Sequence, residues 1–502
     1  GRARIARELL VESVVLGLLG GALGIAIADA GLRLLSAIGP ANLPRLNEIS
    51  LDGGSLFFTL ILSVLAGLLF GSIPAWKYSR RSATAGLGAT RTASASRERH
   101  RSRNTLVILQ MAMALVLLVC AALMIRTFQR LHSVDPGFTG VSQLQTLRIA
   151  IPESSVADPH MVVRTENNIV DKFRSVAGAT SVGFALEAPL EALGHGWNPI
   201  SAEGKVYRGD PPIRFFNSVS PGYFSALGTR LIAGRDFTWD ETYSLAPKVV
   251  ISENLAREEW GSAGSAVGKR MRVAPSEPWS EVIGVAQDVR YDGIDQRAPA
   301  IVYWSVLTRD PWVRPEVKAF TPRAVTFVVR SSRAGTQAFL KELQQALWSV
   351  NGDLPFASPR TMQEIYSRSM ARTSFTLVML GIAAVMALAL GIIGIYGVIS
   401  YAVSQRTREI GIRLALGAPR GELRWMFVRS ALALTGVGAV IGMAAAAAFV
   451  RLLRTLLFGV SPFDPVSFAA GPLILALAAA AASFLPACRV SAVNPADALK
   501  AE

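Results

Sequence analysis

With 502 residues, 51% of them hydrophobic and 17% charged, and a mean hydropathy of +0.37, the chain is too apolar for an ordinary soluble domain. Its net charge of +15 does not mark a nucleic-acid surface: across 131–371, the longest stretch without an apolar run, 25 Lys and Arg balance 25 Asp and Glu, so the excess lies in or beside the apolar runs. That distribution follows the preference for Lys and Arg on the cytoplasmic side of membrane spans.

In chain order the apolar runs are Leu9–Leu35, Leu56–Trp76, Thr105–Ile125, Phe375–Val403, Trp425–Leu453 and Val466–Cys488. Each is of the order of the roughly 20 residues that carry a helix across about 30 Å of hydrocarbon. They predict an α-helical polytopic membrane protein of about six transmembrane helices. The linker 77–103 holds eight Lys and Arg against Glu98 alone, which puts it in the cytoplasm. Arg2, Arg4 and Arg7 fall on the same side, as do Arg406, Arg408, Arg413, Arg420 and Arg424. Residues 131–371 and the short loops 42–53 and 457–465 then lie outside. Cys120 and Cys488, the two cysteines, sit in or at the end of runs, so the outer domain stands on its own core without disulfides.

Charged residues within or near the runs are few: Asp29, Arg33, Arg429 and Arg451. A proton or ion pathway needs several such groups at mid-depth, and the sequence does not supply them. Glycines are more informative. Gly17 and Gly21, Gly20 and Gly24, and Gly438 and Gly442 are each spaced four apart, the spacing at which small residues let helices pack closely in lipid. The high glycine content of membrane helices yields the same spacing, so each pair has two readings.

The chain repeats itself. "LDGGSLFF" from Leu51 resembles "FDPVSFAA" from Phe463, and "SIPAWKYSRR" from Ser72 faces "FLPACRVSAV" from Phe484 at the same offset. "ESVVLGLLGGALG" from Glu12 resembles "RSALALTGVGAVIG" from Arg429 at a slightly larger one. Residues 1–89 thus copy 418–501. The second copy is preceded by a span, a large domain and another span, so a complete duplication predicts an N-terminally truncated chain, with on the order of 300 residues ahead of Gly1.

The large domain reads strand "QTLRIAI", helix 156–176 and strand "ATSVGFAL". Later it reads strand "AVTFVVRSS", helix 335–350 and strand "LPFASP". Two βαβ units around an insertion predict a split, ferredoxin-like α+β domain with a β-rich inserted subdomain at about 204–321. The resulting parse is two spans in 1–76, the linker 77–103, a span at 104–130, the outer domain 131–371, three spans in 372–490 and a tail 491–502.

Nucleotide and hydrolase chemistry have no motif here. There is no G-x-x-x-x-G-K-[ST] loop to cradle phosphates, no H-E-x-x-H and no G-x-S-x-G. Of the four histidines only His195, in "GHGWNP", has a setting that suggests a pocket, and a lone loop histidine is more simply a surface residue. The most sharply patterned stretch is "RTREIGIRLALGAPRGELRWM", Arg406–Met426. On a helix Ile410 and Leu414 share a face and Ile412 and Leu416 an adjacent one, with Arg406, Arg408, Glu409 and Arg413 on the polar side. Gly417, Ala418 and Pro419 then break it. Such a helix can rest in lipid headgroups or dock a soluble partner, and its pattern alone does not choose.

"REIGIRLALGA", Arg408–Ala418, resembles the signature of FtsX-type permease domains of ABC transporters of the MacB kind. "NPADALK" at 494–500 fits its closing segment. "VDPGF" at 134–138, "VSPGYFSALGTRLIAGRDF" at 219–237, "VVISENLAREEW" and "VGKRMRV" resemble the MacB-like periplasmic domain. The duplicated layout is similar to the double-length orphan permeases. This resemblance implies a multi-pass protein of the bacterial inner membrane with its large domain in the periplasm. It implies that Arg408, Glu409, Gly411 and Arg413 contact an ABC ATPase subunit. ATP would sit on that partner with no cofactor in this chain, and the spans would pass the ATPase's movement to the outer domain as a mechanotransmitter. Partners implied are the lipid bilayer, the ATPase and a periplasmic adaptor or envelope protein. The alternative is an ATPase-independent envelope scaffold or regulator.

Overall fold

The computed structural model describes residues 2–38, 52–81, 92–191, 196–275, 277–309, 319–416 and 418–490. His195, Gly417, the loop 42–51, residues 82–91 of the basic linker and the 494–500 motif lie outside the described residues. The chain divides into two compact units, one formed by residues up to 130 and from 372, the other by 131–371.

Three long helices come first: α1 (Arg2–Ile38), α2 (Gly53–Arg81) and α3 (Thr92–His132). The second unit opens with β1 (Leu144–Ala150), α4 (Pro159–Arg174) and β2 (Ala179–Ala185). There follow β3 (Gly196–Pro199), β4 (Ser201–Ala202), β5 (Ile213–Val219), α5 (Tyr223–Leu227), β6 (Leu231–Gly234) and α6 (Trp239–Tyr243). Next are β7 (Lys248–Ser252), α7 (Glu253–Trp260), α8 (Ala263–Ala266), β8 (Arg270–Arg272), β9 (Ser280–Ala286) and β10 (Ile301–Ser305). The unit closes with β11 (Ala324–Ser331), α9 (Gln337–Val350), β12 (Ala357–Thr361) and α10 (Met362–Ser369). The chain then returns to the helical unit as α11 (Ala371–Gln405), α12 (Thr407–Ala415), α13 (Arg420–Phe449) and α14 (Pro465–Val490).

The split ferredoxin-like arrangement is present. Strands run in the order β12-β1-β11-β2, every pair antiparallel. Alternation explains the sidedness: Leu147, Ile149, Val325, Phe327, Val329, Val182 and Phe184 point to one face. There they meet Val163, Val170 and Phe173 of α4 and Phe339, Leu343 and Leu347 of α9 in a single core. The inserted part continues the same sheet through one pair of residues, Ala185 and Val219, rather than forming a sheet of its own. Its parallel pairs, β5 with β10 and β7 with β9, are covered by a second core around Val249, Ile251, Leu255 and Val285. The junction is fixed by buried polar groups. Asn217 donates to the Glu187 carbonyl and to the Tyr291 hydroxyl, both at 2.9 Å.

The family-like motifs of this unit are fastenings. In "VDPGF", the Gly137 N–H donates to Asp135 at 2.9 Å, and Gly137 holds φ 89° where a side chain would strike the Asp288 carbonyl. In "VSPGYFSALGTRLIAGRDF", the half-buried Asp236 carboxylate accepts from the N–H groups of Gly222 (2.9 Å) and Phe237 (2.7 Å). Burial nevertheless pushes the Asp236 carboxyl up to about 6.

Among the described residues five helices are long and apolar enough to cross a membrane: Leu10–Arg33, Arg103–His132, Thr373–Gln405, Arg420–Phe449 and Pro465–Cys488. A sixth apolar stretch, Gly53–Leu69, is shorter on its own but lies in a helix that continues to Arg81. Within the first, Asp29 and Arg33 form an i,i+4 ion pair at 2.8 Å, which lessens the cost of both charges near hydrocarbon. The repeat recurs at atomic detail. Asp52 and Asp464 each cap the next helix, accepting from the backbone N–H of Ser55 (3.0 Å) and Ser467 (2.8 Å).

Candidate coupling helix and its supporting contacts

The patterned stretch forms α12, set off from α11 by a turn at Arg406 and from α13 by Pro419, which holds an extended backbone as its N-cap. Its end is closed by the Ala418 N–H donating to the Arg413 carbonyl at 2.9 Å. Two apolar directions separate on so short a helix. Ile410 is buried among Val403, Leu423 and Phe427, and Gly411 is buried beside it. Ile412 and Leu416 point the other way, 42% and 82% exposed, with Trp425 of α13 also 59% exposed. Glu409 and Arg413 pair across one turn at 2.6 Å, both about half exposed, and an Arg413 Nη lies 3.8 Å from the Met426 sulfur. The backbone of Arg408 stands in the same turn of helix as Glu409. Glu409 and Arg413 therefore share one outward surface, anchored by Ile410, whereas Gly411, expected beside them from the sequence, is buried on the inner side of the helix.

Ile410 belongs to a core that is built along α3. Val107, Met111, Ala114, Leu115 and Val119 recur at three- and four-residue spacing and are buried. Glycines on three other helices let them approach. A Cβ on Gly438 would lie 2.7 Å from the Met111 Cβ and 2.9 Å from the Ile108 carbonyl, and one on Gly442 would lie 2.7 Å from the Ala112 carbonyl. Gly391 and Gly394 of α11 meet Met111 and Gln110 in the same way, and Gly471 of α14 meets Leu115 and Val119. These last three escaped the sequence reading, which looked only for four-residue spacing; Gly391 and Gly394, three apart, share a helix face just as well.

Side chains tie both ends of α3. At the start of its apolar stretch, the Arg103 guanidinium sits 4.2 Å over the Tyr401 ring near the end of α11. Toward its other end, Arg126 pairs with Asp464, the cap of α14. The remaining glycines divide. Gly17 and Gly21 pack on α2, where a Cβ would strike the Ser63 carbonyl at 2.5 Å and the Ser63 hydroxyl at 2.1 Å respectively, whereas Gly20 and Gly24 have nothing within 4 Å among the described residues.

The other unit carries a cleft lined by Asn198, Phe216, Lys248, Trp304, Ser305 and Phe320 among others, a mixed aromatic and polar wall that no sequence motif announced.

Comparison with known proteins places these elements. Residues 381–495, which include α12, match the FtsX-like permease C-terminal model, and residues 196–346 match the MacB-like periplasmic core domain. The macrolide export ATP-binding/permease protein MacB of Chromobacterium violaceum is 29% identical over 296 residues, 57% of this chain and 43% of that protein. The ABC transporter permease YvrN of Bacillus subtilis is 29% identical over 296 residues, 57% of this chain and 69% of that protein. The match thus spans less than half the length of that MacB relative. Among solved structures, the periplasmic region of MacB from Actinobacillus actinomycetemcomitans is similar over 48% of this chain and 97% of its own, at 15% identity and a TM-score of 0.31. The extracellular domain of the ABC-type transporter YknZ is similar over 43% and 100%, at 17% identity and a TM-score of 0.27. The chain thus joins a stretch that matches the MacB-like periplasmic core domain to one that matches the FtsX-like permease C-terminal domain, and it is similar to ABC transporter permeases of the MacB kind.

Proposed function

We propose that the chain is the membrane subunit through which a separate cytoplasmic ATPase moves an outer domain in the bacterial inner membrane, in an efflux or envelope process. The observation that carries this reading is α12: a short helix held by Ile410 and turning Glu409, Arg413, Ile412 and Leu416 outward. A partner that pushes on it acts directly on α11, an unbroken helix of 35 residues, roughly 50 Å long at 1.5 Å per residue. The far end of α11 is Ala371, where the chain leaves the α+β unit. Because Arg103 stacks on Tyr401 and Arg126 pairs with Asp464, α3 is drawn along at both ends, and α3 is the other connection to that unit. In this reading nucleotide chemistry belongs to the partner.

The test is affinity capture from native membranes, wild type beside the double variant Glu409→Lys/Arg413→Glu. The swap keeps an i,i+4 pair of opposite charges, so α12 should stay helical within a few tenths of a kcal/mol. Wild type should retain an ATP-binding protein that the variant loses. An envelope protein recovered in both samples with no ATPase in either would leave a scaffold instead.

A further inference from the structure

The cleft in the α+β unit lies where four neighbouring strands of the inserted part end. Ser218 and Trp304 are paired near the ends of β5 and β10, and Lys248 and Ser280 open β7 and β9. Its walls are aromatic. Phe216 rests on Gly196, where an added side chain would strike the ring, and Phe320 is held at the cleft by two backbone hydrogen bonds with Thr308, of 2.7 and 3.1 Å. The volume of about 180 Å³ exceeds the roughly 150 Å³ that accepts one benzene ring.

The polar groups of the cleft are of two kinds. Lys248 is already answered, by Glu241 at 3.0 Å and Glu281 at 3.9 Å, and Ser305 donates to the Thr242 hydroxyl at 2.9 Å. Ser218 and Ser280 differ: they are 3% and 5% exposed, and among the described residues neither hydroxyl has a hydrogen-bond partner. The Trp304 indole N–H is buried and also lacks an acceptor among the described residues. Buried polar groups seldom stay unbonded. With β10 and β7 standing between β5 and β9, the two serines are three strand spacings apart, roughly 14 Å.

We propose that this cleft binds an uncharged small molecule with a flat aromatic body of about two rings and a hydroxyl or carbonyl oxygen toward each end. The rings lie against Phe216, Trp304 and Phe320, and the oxygens meet the Ser218 and Ser280 hydroxyls. A charged ligand is disfavoured, because Lys248 already faces two carboxylates and because Glu277 and Arg309 in the lining oppose each other in sign. Water can satisfy the hydroxyls but leaves the aromatic walls wet. The site needs neither α12 nor an ATPase, so it stands if the coupling reading fails.

The probe is para,para′-dihydroxybenzophenone, which is photoreactive at its central carbonyl, added to the full chain in phosphatidylcholine vesicles in mildly acidic buffer, where its phenols are uncharged. Irradiation and peptide mass mapping should place saturable adducts in the cleft, within 245–248 and 304–308. Ser218→Ala/Ser280→Ala should lower the yield about tenfold, the loss of two hydrogen bonds. That variant should melt with the parent, since the two hydroxyls bond nothing in the fold. Benzophenone, which lacks the end oxygens, should label parent and variant alike. Phe320→Ala, at a position 38% exposed, should lower labelling by both probes. Adducts confined to the membrane helices would overturn the proposal and leave a cleft that holds only water. Cleft adducts of the dihydroxy probe that ignore the serine changes would overturn it equally, leaving an unspecific apolar surface.

Discussion

Gly442→Leu should take the helical unit apart, while Gly436→Leu, about nine ångströms of helix rise away on the same rod, should leave it intact. At Gly436 an added side chain meets nothing within 4 Å. At Gly442 even the first carbon falls 2.7 Å from the Ala112 carbonyl and 3.0 Å from both the Ala112 Cα and the Leu115 Cβ. The obstacle is backbone, which cannot swing aside as the end of a flexible side chain can. Insertion of one methyl is thus expected to cost about 1–3 kcal/mol, and a leucine more, because α3 and α13 must separate and lose their shared core. Ala112, Leu115 and Met111 lie on that seam, so Ile410 loses its anchorage with them and α12 should loosen too. Thermal unfolding of detergent-solubilised chain checks this. Gly442→Ala should melt several degrees low and Gly442→Leu should fail to give a single species, with Gly436→Leu unchanged. Equal melting of all three would mean that α13 does not rest on α3.

Replacing Glu166 should strengthen the α+β unit, and by an amount that grows with pH. Glu166 stands on the buried face of α4 with Val162, Val163, Ile169, Val170 and Phe173, and is 1% exposed. Among the described residues neither carboxylate oxygen has a hydrogen-bond partner. Burial pushes its carboxyl well above the usual carboxylate range, with Arg323 opposing. The folded state thus binds the proton more tightly than the unfolded chain. Stability from that proton is complete below the ordinary value of 4.5 and is lost as pH rises toward the folded value. Glu166→Gln should flatten this fall. Glu166→Met should remove the buried, unpartnered carboxyl altogether and raise stability by about 1–3 kcal/mol near neutral pH. Melting of the chain between about pH 5 and 8, each variant against wild type, isolates this group from Asp236, whose raised carboxyl contributes with the same sign. A Glu166→Met chain less stable than wild type near pH 8 would mean that the carboxylate has a partner.

The sequence and the structure inform each other unevenly, and the reasons are physical. Long apolar runs and strand alternation are carried by many residues at once, so the spans, the order β12-β1-β11-β2 and the helices over it were legible. The continuation of one sheet into the insertion was not, because it hangs on the single pair Ala185 and Val219, which no local pattern records. Glu166 shows the limit of reading by residue type: a charged letter suggests a solvated face, yet its spacing from Val162, Val163, Ile169 and Val170 places it on the apolar stripe. On α12 the pattern gave the helix and its polar side but not which apolar face turns inward. Ile410 goes in and Ile412 out because α13 returns beside the first and not the second, a tertiary fact. The glycine pairs make the same point, since Gly17 and Gly20 are alike in sequence and differ only in what lies opposite them.

Cross-linking in native membranes tests most directly whether α12 is where a cytoplasmic ATPase meets this chain, as proposed. A photoreactive residue at Ile412 or Leu416, both turned outward, should give an adduct with an ATP-binding polypeptide, and the same residue at the buried Ile395 should give none. Adducts from Ile412 and Leu416 confined to lipid would contradict the account and leave α12 a helix that rests in the headgroups.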